Sequence, residues 1–323
     1  MTSRTVKIVV SVIVVVSAIV TIRLLLGGND ARSATLHLNW VWSGSFAGEA
    51  IAVAEIAPSR GFKLQAKPGG QGLDPLKLVR RGDFGVAAAD EILRANDKGA
   101  DFVIIGVLND VSPAAFVSLA SSGISSPRDF PGKRVGVLPF GSTGLVYQSM
   151  MKSAGIDRAL VTEVVVSPDL RPFISGATHD VQPVFVFDEP VTLDAQGIKY
   201  NLILPSAFGV AFKGMCYFTT RSTIEEMPET VRDFVQIMAE AWRRTRENPA
   251  RAVDLLRGID GSIDAGRELA LLSRGMSFFV DDTRRPLDSD PDSWAPMIED
   301  LKSFGVISEI VNADEFLDLR FVP

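Results

Sequence analysis

The segment LVRRGDFGVAAADEILRANDKGADFVIIGVL, residues 78 to 108, places one helical run between two strand-like runs. The runs Phe84 to Ala88 and Phe102 to Leu108 are almost wholly apolar, which is typical of strands covered on both faces. Between them, Asp90 stands where a helix N-cap is expected and Gly99 stands where the helix should end. This order of strand, helix and strand predicts an α/β fold.

The same alternation continues on both sides of this segment, with turn residues between the runs. The other predicted strands are Thr35 to Asn39, Phe62 to Ala66, Ala114 to Leu119, Arg134 to Val137, Val161 to Val166, Val181 to Phe187, Asn201 to Leu204 and Val210 to Thr219. From Ile224 to Phe321 the pattern is helical, apart from a charged, proline-bearing stretch at Val280 to Pro291 that predicts a surface loop. The helices of this last third must therefore pack on sheets formed earlier in the chain.

Composition and charge narrow the class of protein. The chain has 323 residues, of which 46% are apolar and 22% charged, as is ordinary for globular domains. The formal net charge is −6, and basic residues near the amino terminus leave the remainder more acidic still. An acidic body repels nucleic acid, and no basic stripe with interleaved aromatic residues is present, so nucleic-acid binding is not expected.

Cysteine and histidine are too scarce for most metal or nucleophile chemistry. Cys216 is the single cysteine, which excludes an intramolecular disulfide and a cysteine metal cluster, and its apolar neighbours predict a buried thiol. His37 and His179 are the only histidines. We therefore expect no metal, no cofactor and no histidine-based catalytic triad.

The amino terminus carries a targeting signal. Arg4 and Lys7 precede an unbroken apolar run from Ile8 to Ile22, so residues 1 to 33 are expected to be a signal peptide or a membrane anchor. Small residues before the cleavage point favour cleavage after Ser33, whereas the length of the apolar run favours an uncleaved transmembrane helix in the inner membrane, and both alternatives stay open. In either case the rest of the chain is expected in the periplasm, because the basic flank stays in the cytoplasm.

Several motifs in a fixed order resemble a known family. They are LHLNW at residues 36 to 40, the segment at 78 to 108, SGISSPRDFPGKRVGV at 122 to 137, VFDEP at 186 to 190 and PETVRDFVQIMAEAWRRTRENPARAVDLL at 228 to 256. Together they resemble the periplasmic solute-binding proteins of ABC transporters that import sulfonates, taurine, nitrate and thiamine pyrimidine precursors. The resemblance covers nearly all of residues 35 to 257 and rests on the order and spacing of the motifs.

This resemblance implies a two-lobed periplasmic binding-protein fold, similar to type II, in which each lobe has a mostly parallel sheet flanked by helices. Lobe 1 would combine residues 34 to 122 with residues 220 to 323, and lobe 2 would be residues 123 to 219. Two crossover strands, near Ser121 to Pro127 and near Ala211 to Thr219, would join the lobes and act as the hinge. The resemblance further implies a small polar ligand in the cleft, an ABC permease and ATPase as partners, and no covalent chemistry.

Candidate ligand-binding residues follow the predicted strands, because ligands of open α/β sheets bind beyond the carboxyl ends of strands. After the first strand come Trp40, Trp42, Ser45 and Phe46, whose rings either stack on a flat ligand or simply plug the lobe. In the pyrimidine-precursor branch of the family this loop carries a histidine where the present chain has Phe46. That departure leaves the exact ligand open.

Polar residues follow the third and sixth strands. The carboxylate of Asp90 either caps the next helix, which the pattern favours, or faces the cleft. Ser142 and Thr143 stand at a helix start, where free backbone N–H groups attract oxyanions, and a plain cap by Ser142 is the alternative. The family resemblance implies ligand contact at this second loop.

The acidic pair in VFVFDEP is the strongest single candidate. Asp188 and Glu189 directly follow an apolar strand. The resemblance implies that an acidic residue here binds nitrogen groups of the ligand, with Glu189 at the matching position, and a solvent-exposed turn acid is the alternative. Asn109 and Tyr217, at other strand ends, are weaker candidates.

The function expected from these residues is that of the extracytoplasmic solute-binding component of an ABC importer. Aromatic rings with carboxylates favour a pyrimidine-like heterocycle, whereas the helix start would suit a sulfonate or nitrate, and the heterocycle is preferred. A membrane-tethered solute sensor and a biosynthetic enzyme on the same fold are the alternatives. The thiamine-pathway enzymes that the chain resembles need a cysteine-rich iron motif, which Cys216 alone cannot supply.

Overall fold

The computed structural model describes residues 32–70, 72–138, 141–281, 283–310 and 312–323. The predicted signal peptide or anchor, residues 1 to 33, lies outside the described residues except for its last two. Those two belong to the fold, because Ser33 begins the first strand and the Arg32 carbonyl accepts a hydrogen bond of 2.7 Å from the Lys63 N–H. None of the helices in the described part of the chain combines the length and hydropathy that a membrane span requires.

The described strands form two five-stranded sheets. The strands of the first sheet are β1 (Ser33–His37), β2 (Lys63–Lys67), β3 (Phe84–Ala88), β4 (Phe102–Val107) and β10 (Met215–Thr220). Their order across the sheet is β2-β1-β3-β10-β4. β1 pairs in parallel with β2 and β3, whereas β10 runs antiparallel between β3 and β4.

The second sheet has the same pattern. Its strands are β5 (Ala114–Leu119), β6 (Arg134–Val137), β7 (Thr162–Val165), β8 (Val181–Phe185) and β9 (Tyr200–Ile203), in the order β7-β6-β8-β5-β9. β6 is parallel to β7 and β8, whereas β5 is antiparallel to β8 and β9. Four of the five strands in each sheet therefore run in the same direction, which confirms the expected mostly parallel sheets, and one strand in each runs the other way. In each sheet the strand that arrives from the other half of the molecule, β10 or β5, runs against its neighbours.

The helices lie between and after the strands. They are α1 (Ala47–Ile51), α2 (Ala57–Ser59), α3 (Pro75–Leu78), α4 (Ala89–Asn96), α5 (Thr143–Ser153), α6 (Arg171–Ile174), α7 (Glu189–Ala195), α8 (Arg221–Glu226), α9 (Pro228–Glu247), α10 (Pro249–Ile259), α11 (Ala265–Phe279) and α12 (Ala295–Ser303). The predicted α/β class is confirmed. The strands predicted from the sequence are present within a few residues, except that the last begins at Met215 rather than Val210.

The sheet pairing corrects the expected lobe boundary at residue 122. β5 lies in the second sheet, so the chain passes from the first sheet to the second in residues 108–113, not near Ser121 to Pro127. The chain returns in residues 209–214, before β10, which agrees with the start of the expected second crossover. The sequence of a buried apolar strand such as β5 is compatible with either sheet. Its pairing with β8 and β9 shows that it belongs to the second sheet.

The helical pattern of the last third is confirmed, and its longest helix builds the core of lobe 1. The buried face of α9 includes Val231, Phe234, Val235, Met238 and Trp242. The Phe234 ring stacks on Phe84 of β3 with 3.9 Å between ring centroids. Each such side chain stabilises the fold by roughly 1.5–3 kcal/mol through burial.

α11 also belongs to the last third of the chain, yet it packs against lobe 2. Its Arg274 Nε donates to the Val186 carbonyl at 2.7 Å, and Nη1 lies 2.8 Å from the Asp194 carboxylate. The ring centroids of Phe187 and Phe279 are 4.9 Å apart. The described state therefore has the two lobes in contact along α11.

Candidate ligand site between the lobes

The candidate site lies where the carboxyl ends of the parallel strands meet the other lobe. In lobe 1, Asn39 follows β1 and Asp90 follows β3, which are neighbouring parallel strands. In lobe 2, Ser142 follows β6 and Asp188 follows β8, which are also neighbouring parallel strands. Ligands of α/β sheets bind at such edges, so free hydrogen-bonding groups on these residues are candidate ligand contacts.

Asp90 is the second residue of α4, whose N-cap is Ala88, so the expected cap by Asp90 is wrong. The Ala88 N–H instead donates to Glu91 Oε2 at 3.3 Å. The Asp90 carboxylate is fully buried, and neither of its oxygens has a hydrogen-bond partner among the residues that the structure describes. Burial, with a smaller contribution from the Glu91 charge, raises the pKa of Asp90 from 3.8 to about 7. A buried carboxyl group of this kind marks a functional-site candidate.

Asp90 faces the start of α5 in lobe 2. The Ser142 hydroxyl is close enough to lower the pKa of Asp90 a little, although the two groups do not meet hydrogen-bond geometry. Ser142 is the N-cap residue of α5, but its side chain makes no capping hydrogen bond, so the alternative of a plain cap is wrong. The neighbouring Thr143 is 3% exposed, and its Oγ1 has no partner in the described part of the chain. The Thr143 hydroxyl is thus unsatisfied, and the Ser142 hydroxyl lies next to Asp90.

Asn39 joins this group, although the sequence interpretation missed it. Its Nδ2 lies 3.5 Å from Met215 Sδ, which is a weak contact, and its buried Oδ1 has no partner among the described residues. Met215 pairs with Ala88 at the end of β3, which places Asn39 on the edge that carries Asp90. The available signal was a polar residue that ends an apolar strand directly before the aromatic loop.

The aromatic loop divides into exposed and buried rings. Trp40 is 47% exposed, whereas Phe46 is 3% exposed and belongs to the core. Trp42 is half-buried and packs edge-on against Phe46, with 6.4 Å between the ring centroids. Ser45, in the same 3₁₀ turn as Phe46, is half-buried. Trp40 is therefore the most exposed ring of this loop, and Phe46 is part of the core of lobe 1.

The acidic pair after β8 already has partners within the chain. Asp188 forms an ion pair with Arg267 of α11, so this contact joins the lobes. Glu189 Oε2 accepts a hydrogen bond of 2.8 Å from the Phe185 N–H. Burial, followed by the Asp188 charge, raises the pKa of Glu189 to about 7. Both carboxylates thus contribute to the turn and the lobe contact, whereas Asp90 is the acid at this edge of which neither oxygen has a partner among the described residues.

Tyr217 points into the core of lobe 1, away from a ligand role. Its hydroxyl donates to Glu49 Oε1 at 2.6 Å and accepts from Trp242 Nε1 at 2.8 Å. Burial raises the pKa of Glu49 to about 7. Asn109 is likewise occupied, because its Nδ2 donates to the Phe278 carbonyl at 2.9 Å. These two weaker candidates are structural in the described state.

The remaining chemical groups of interest lie apart from a common site. Cys216 is buried, and burial raises the pKa of its thiol. His37 Nε2 lies 3.8 Å from the Asp83 carboxylate in lobe 1, and His179 is buried next to Gln182 in lobe 2. The described residues contain no group of three or more histidine, cysteine, aspartate or glutamate side chains placed to hold a metal ion.

A family model matches residues 59 to 252, which is more than half of the chain, and its description is NMT1/THI5 like. The chain belongs to the NMT1/THI5-like family. The resemblance found from the sequence motifs is thereby confirmed. The range that the NMT1/THI5-like family model matches includes Asp90, Ser142 and Asp188.

Two curated proteins are similar to this NMT1/THI5-like chain. One is the 4-amino-5-hydroxymethyl-2-methylpyrimidine phosphate synthase of Legionella pneumophila, which is 27% identical over 248 residues, covering 75% of this chain and 76% of that protein. The other is the riboflavin-binding protein RibY of Chloroflexus aurantiacus, which is 23% identical over 248 residues, covering 74% of this chain and 70% of that protein. One name describes an enzyme and the other a binding protein.

Solved structures share the fold of this NMT1/THI5-like protein. The periplasmic aliphatic sulphonate binding protein SsuA from Escherichia coli has a TM-score of 0.71 and 17% identity, covering 88% of this chain and 91% of that chain. A putative periplasmic sulfonate-binding protein SsuA from Methylobacillus flagellatus has a TM-score of 0.69 and 15% identity, covering 90% and 93%. The desulfurization enzyme DSZB has a TM-score of 0.63 and 13% identity, covering 89% and 97%. The two-lobed binding-protein fold is confirmed, and at these identities nothing more follows.

Proposed function

We propose that this NMT1/THI5-like protein captures a small solute between its lobes and presents it to an ABC permease and its ATPase. The solute brings N–H donors, as an amine or an amino-substituted pyrimidine does, rather than a sulfonate or nitrate group. The observation that carries the proposal is the buried Asp90 carboxylate, whose oxygens have no partner among the described residues and which faces Ser142 of the other lobe.

The free groups at this edge are mostly hydrogen-bond acceptors. Asp90 offers two oxygens and Asn39 offers Oδ1, whereas the Thr143 hydroxyl can donate or accept. A buried acceptor without a donor destabilises the folded protein by roughly 1–3 kcal/mol, and more when it is charged. A ligand that supplies N–H donors removes this penalty when it binds, so the site prefers such ligands.

An oxyanion fits the same place poorly. A sulfonate or nitrate at the start of α5 would lie beside the Asp90 carboxyl group, and two like charges at short range raise the free energy of the complex. The helix start alone would suit an oxyanion, but Asp90 reverses that preference whenever it is ionised. The exposed Trp40 ring adds a surface for a flat heterocycle.

The importer partners and the periplasmic location are part of the proposal. They are supported by the periplasmic sulphonate-binding protein that shares the fold and by the basic and apolar character of the first residues. The sulphonate is what that protein binds, and the Asp90 argument favours a different ligand class for the present chain.

A ligand screen tests the proposal directly. Purified full chain is mixed with aminopyrimidines, aliphatic amines, alkanesulfonates and nitrate, and thermal unfolding is followed for each. We expect stabilisation by members of the first two classes. Asp90→Asn should weaken their binding at least tenfold, or about 1.4 kcal/mol, by titration calorimetry, because hydrogen bonds to a charged group contribute roughly 1.5–3 kcal/mol.

Asp169→Asn is the matched control for this screen. It removes an exposed carboxylate that pairs with Arg171 in lobe 2, so it should leave every affinity unchanged. Stabilisation by alkanesulfonates alone, or unchanged amine affinity in Asp90→Asn, would show that the proposed ligand class is wrong.

Catalysis on the bound solute is the second candidate, and the name of the Legionella pneumophila relative favours it. Chromatography of the solute after long incubation with the protein separates the two functions. A binding protein returns the solute unchanged, whereas a stoichiometric or catalytic product would establish the enzyme.

A further inference from the structure

The two crossovers of the hinge are hydrogen-bonded to each other along their length. The Gly214 N–H donates to the Asn109 carbonyl at 2.8 Å, and the Ser112 N–H donates to the Phe212 carbonyl at 2.8 Å. Residues 108–113 and 209–214 therefore form one hydrogen-bonded ribbon rather than two independent links.

An ion pair between a buried lysine and a partly exposed aspartate adds a side-chain contact between the same crossovers. Lys213 Nζ of the second crossover lies 3.0 Å from Asp110 Oδ1 of the first. Lys213 is 4% exposed, and its Nζ is also 2.7 Å from Ser293 Oγ and 5.9 Å from the centre of the Trp294 ring. An ammonium group this deeply buried needs its partners, because moving it away from them leaves a desolvated charge.

Residues 289–294, just before α12, contact the same ion pair. Ser289 Oγ donates to Asp110 Oδ1 at 2.5 Å and accepts from Trp294 Nε1 at 3.0 Å. Trp294 is fully buried. Three stretches of chain, the two crossovers and residues 289–294, thus converge on one carboxylate and one ammonium group.

We propose that Lys213 and Asp110 are positioning residues that set the angle between the lobes and thereby the affinity for the solute. The claim about solute affinity rests on the proposed function, whereas the claim about the angle between the lobes does not. Lobe closure requires dihedral changes in the crossovers. The buried Lys213 ammonium group and its partners link both crossovers to a third segment, and this favours the described arrangement, in which Asp90 is fully buried.

The test removes both charges at once. The double variant Lys213→Met with Asp110→Asn leaves no unpaired buried charge, and each replacement keeps the length or the acceptor oxygen of the original side chain. Cysteines for nitroxide labels are introduced at Val165, which is 71% exposed in lobe 2, and at Ile259, which is 41% exposed in lobe 1. Cys216 is buried and does not compete for the label.

Pulsed electron paramagnetic resonance on the ligand-free full chain then gives the distribution of distances between the lobes. The double variant should show a broader distribution with a longer mean distance than the unchanged hinge. Its affinity for the probe 4-amino-5-hydroxymethyl-2-methylpyrimidine should fall about fivefold or more, as expected for a coupling of the usual allosteric size.

The double variant Arg134→Met with Asp180→Asn is the matched control. That pair has an Nη2 to Oδ1 distance of 2.6 Å but lies wholly within lobe 2. It should lower the unfolding midpoint without changing the distance distribution. Equal distributions in both double variants and in the unchanged protein would overturn the inference. Failure of the probe to bind would instead count against the proposed function, since the distances are measured without it.

Discussion

Replacing Asp90 by asparagine should stabilise the ligand-free protein above neutral pH, although the same change should weaken solute binding. The reason is the burial that raises the pKa of Asp90 from 3.8 to about 7. An unfolded chain ionises this carboxyl group with the lower pKa, so ionisation favours unfolding. The destabilisation is absent below about pH 4 and complete above about pH 7, because only in between does the folded state hold the additional proton.

The size of the destabilisation by ionised Asp90 follows from its pKa values in the unfolded and folded states. At about 1.4 kcal/mol per pH unit, the rise from 3.8 to about 7 corresponds to about 4 kcal/mol as an upper bound. The asparagine amide is neutral but also lacks partners among the described residues, which costs roughly 1–3 kcal/mol. We therefore expect a net gain of about 1–3 kcal/mol in the free energy of unfolding for Asp90→Asn.

Denaturant unfolding at a series of pH values measures this gain. The free energy of unfolding of the unchanged protein should fall more steeply from acid to neutral pH than that of Asp90→Asn. Asp129→Asn is a control in which the free energy of unfolding should change in the opposite direction. The Ser125 N–H, 2.9 Å from Asp129 Oδ2, lowers the pKa of that carboxyl group, so its ionisation favours the folded state. A variant Asp90→Asn that is less stable and has the same pH slope would refute the reasoning.

Two further outcomes are expected. Tyr217→Phe should lower the free energy of unfolding by roughly 2–4 kcal/mol in denaturant titrations, since it leaves Glu49 Oε1 and Trp242 Nε1 without the hydroxyl between them. Tyr147→Phe, whose buried hydroxyl has no hydrogen-bond partner among the described residues, is its near-neutral control. In calorimetry, affinity for an amine that stays protonated should fall as the pH drops below about 7, because Asp90 then takes up a proton; affinity that is constant from pH 5 to 8 would contradict this.

The strands could be predicted closely because each is a short apolar run between turn residues. Phe84–Ala88 and Ala114–Leu119 have the bounds expected from the sequence. The sheet to which a strand belongs could not be predicted in this way. β5 is apolar on both faces, so its sequence fits either sheet, and its pairing with β8 and β9 moved the first crossover to residues 108–113.

The sequence predicts which loops form the candidate site, but not which of their acidic residues has free oxygens. Glu189 was the leading acid, yet a neighbouring backbone N–H occupies one of its oxygens. Asp90 was expected to cap a helix, but the cap position falls two residues earlier, and its carboxyl group is left between the lobes. A shift of two residues at a helix start is beyond what periodicity can specify.

Local pattern was enough for the α/β class, the places of the strands, the helical last third and the family to which the chain belongs. Those features depend on residues close together in the chain, whose spacing sets which side is buried. Partnerships between distant residues needed the folded chain. Three features depend on how the two lobes and their crossovers come together: the pair of Arg267 with Asp188, the pair of Lys213 with Asp110, and the Asp90 carboxyl group without a partner among the described residues. The sequence of a single segment does not specify which side chains of another segment it will contact.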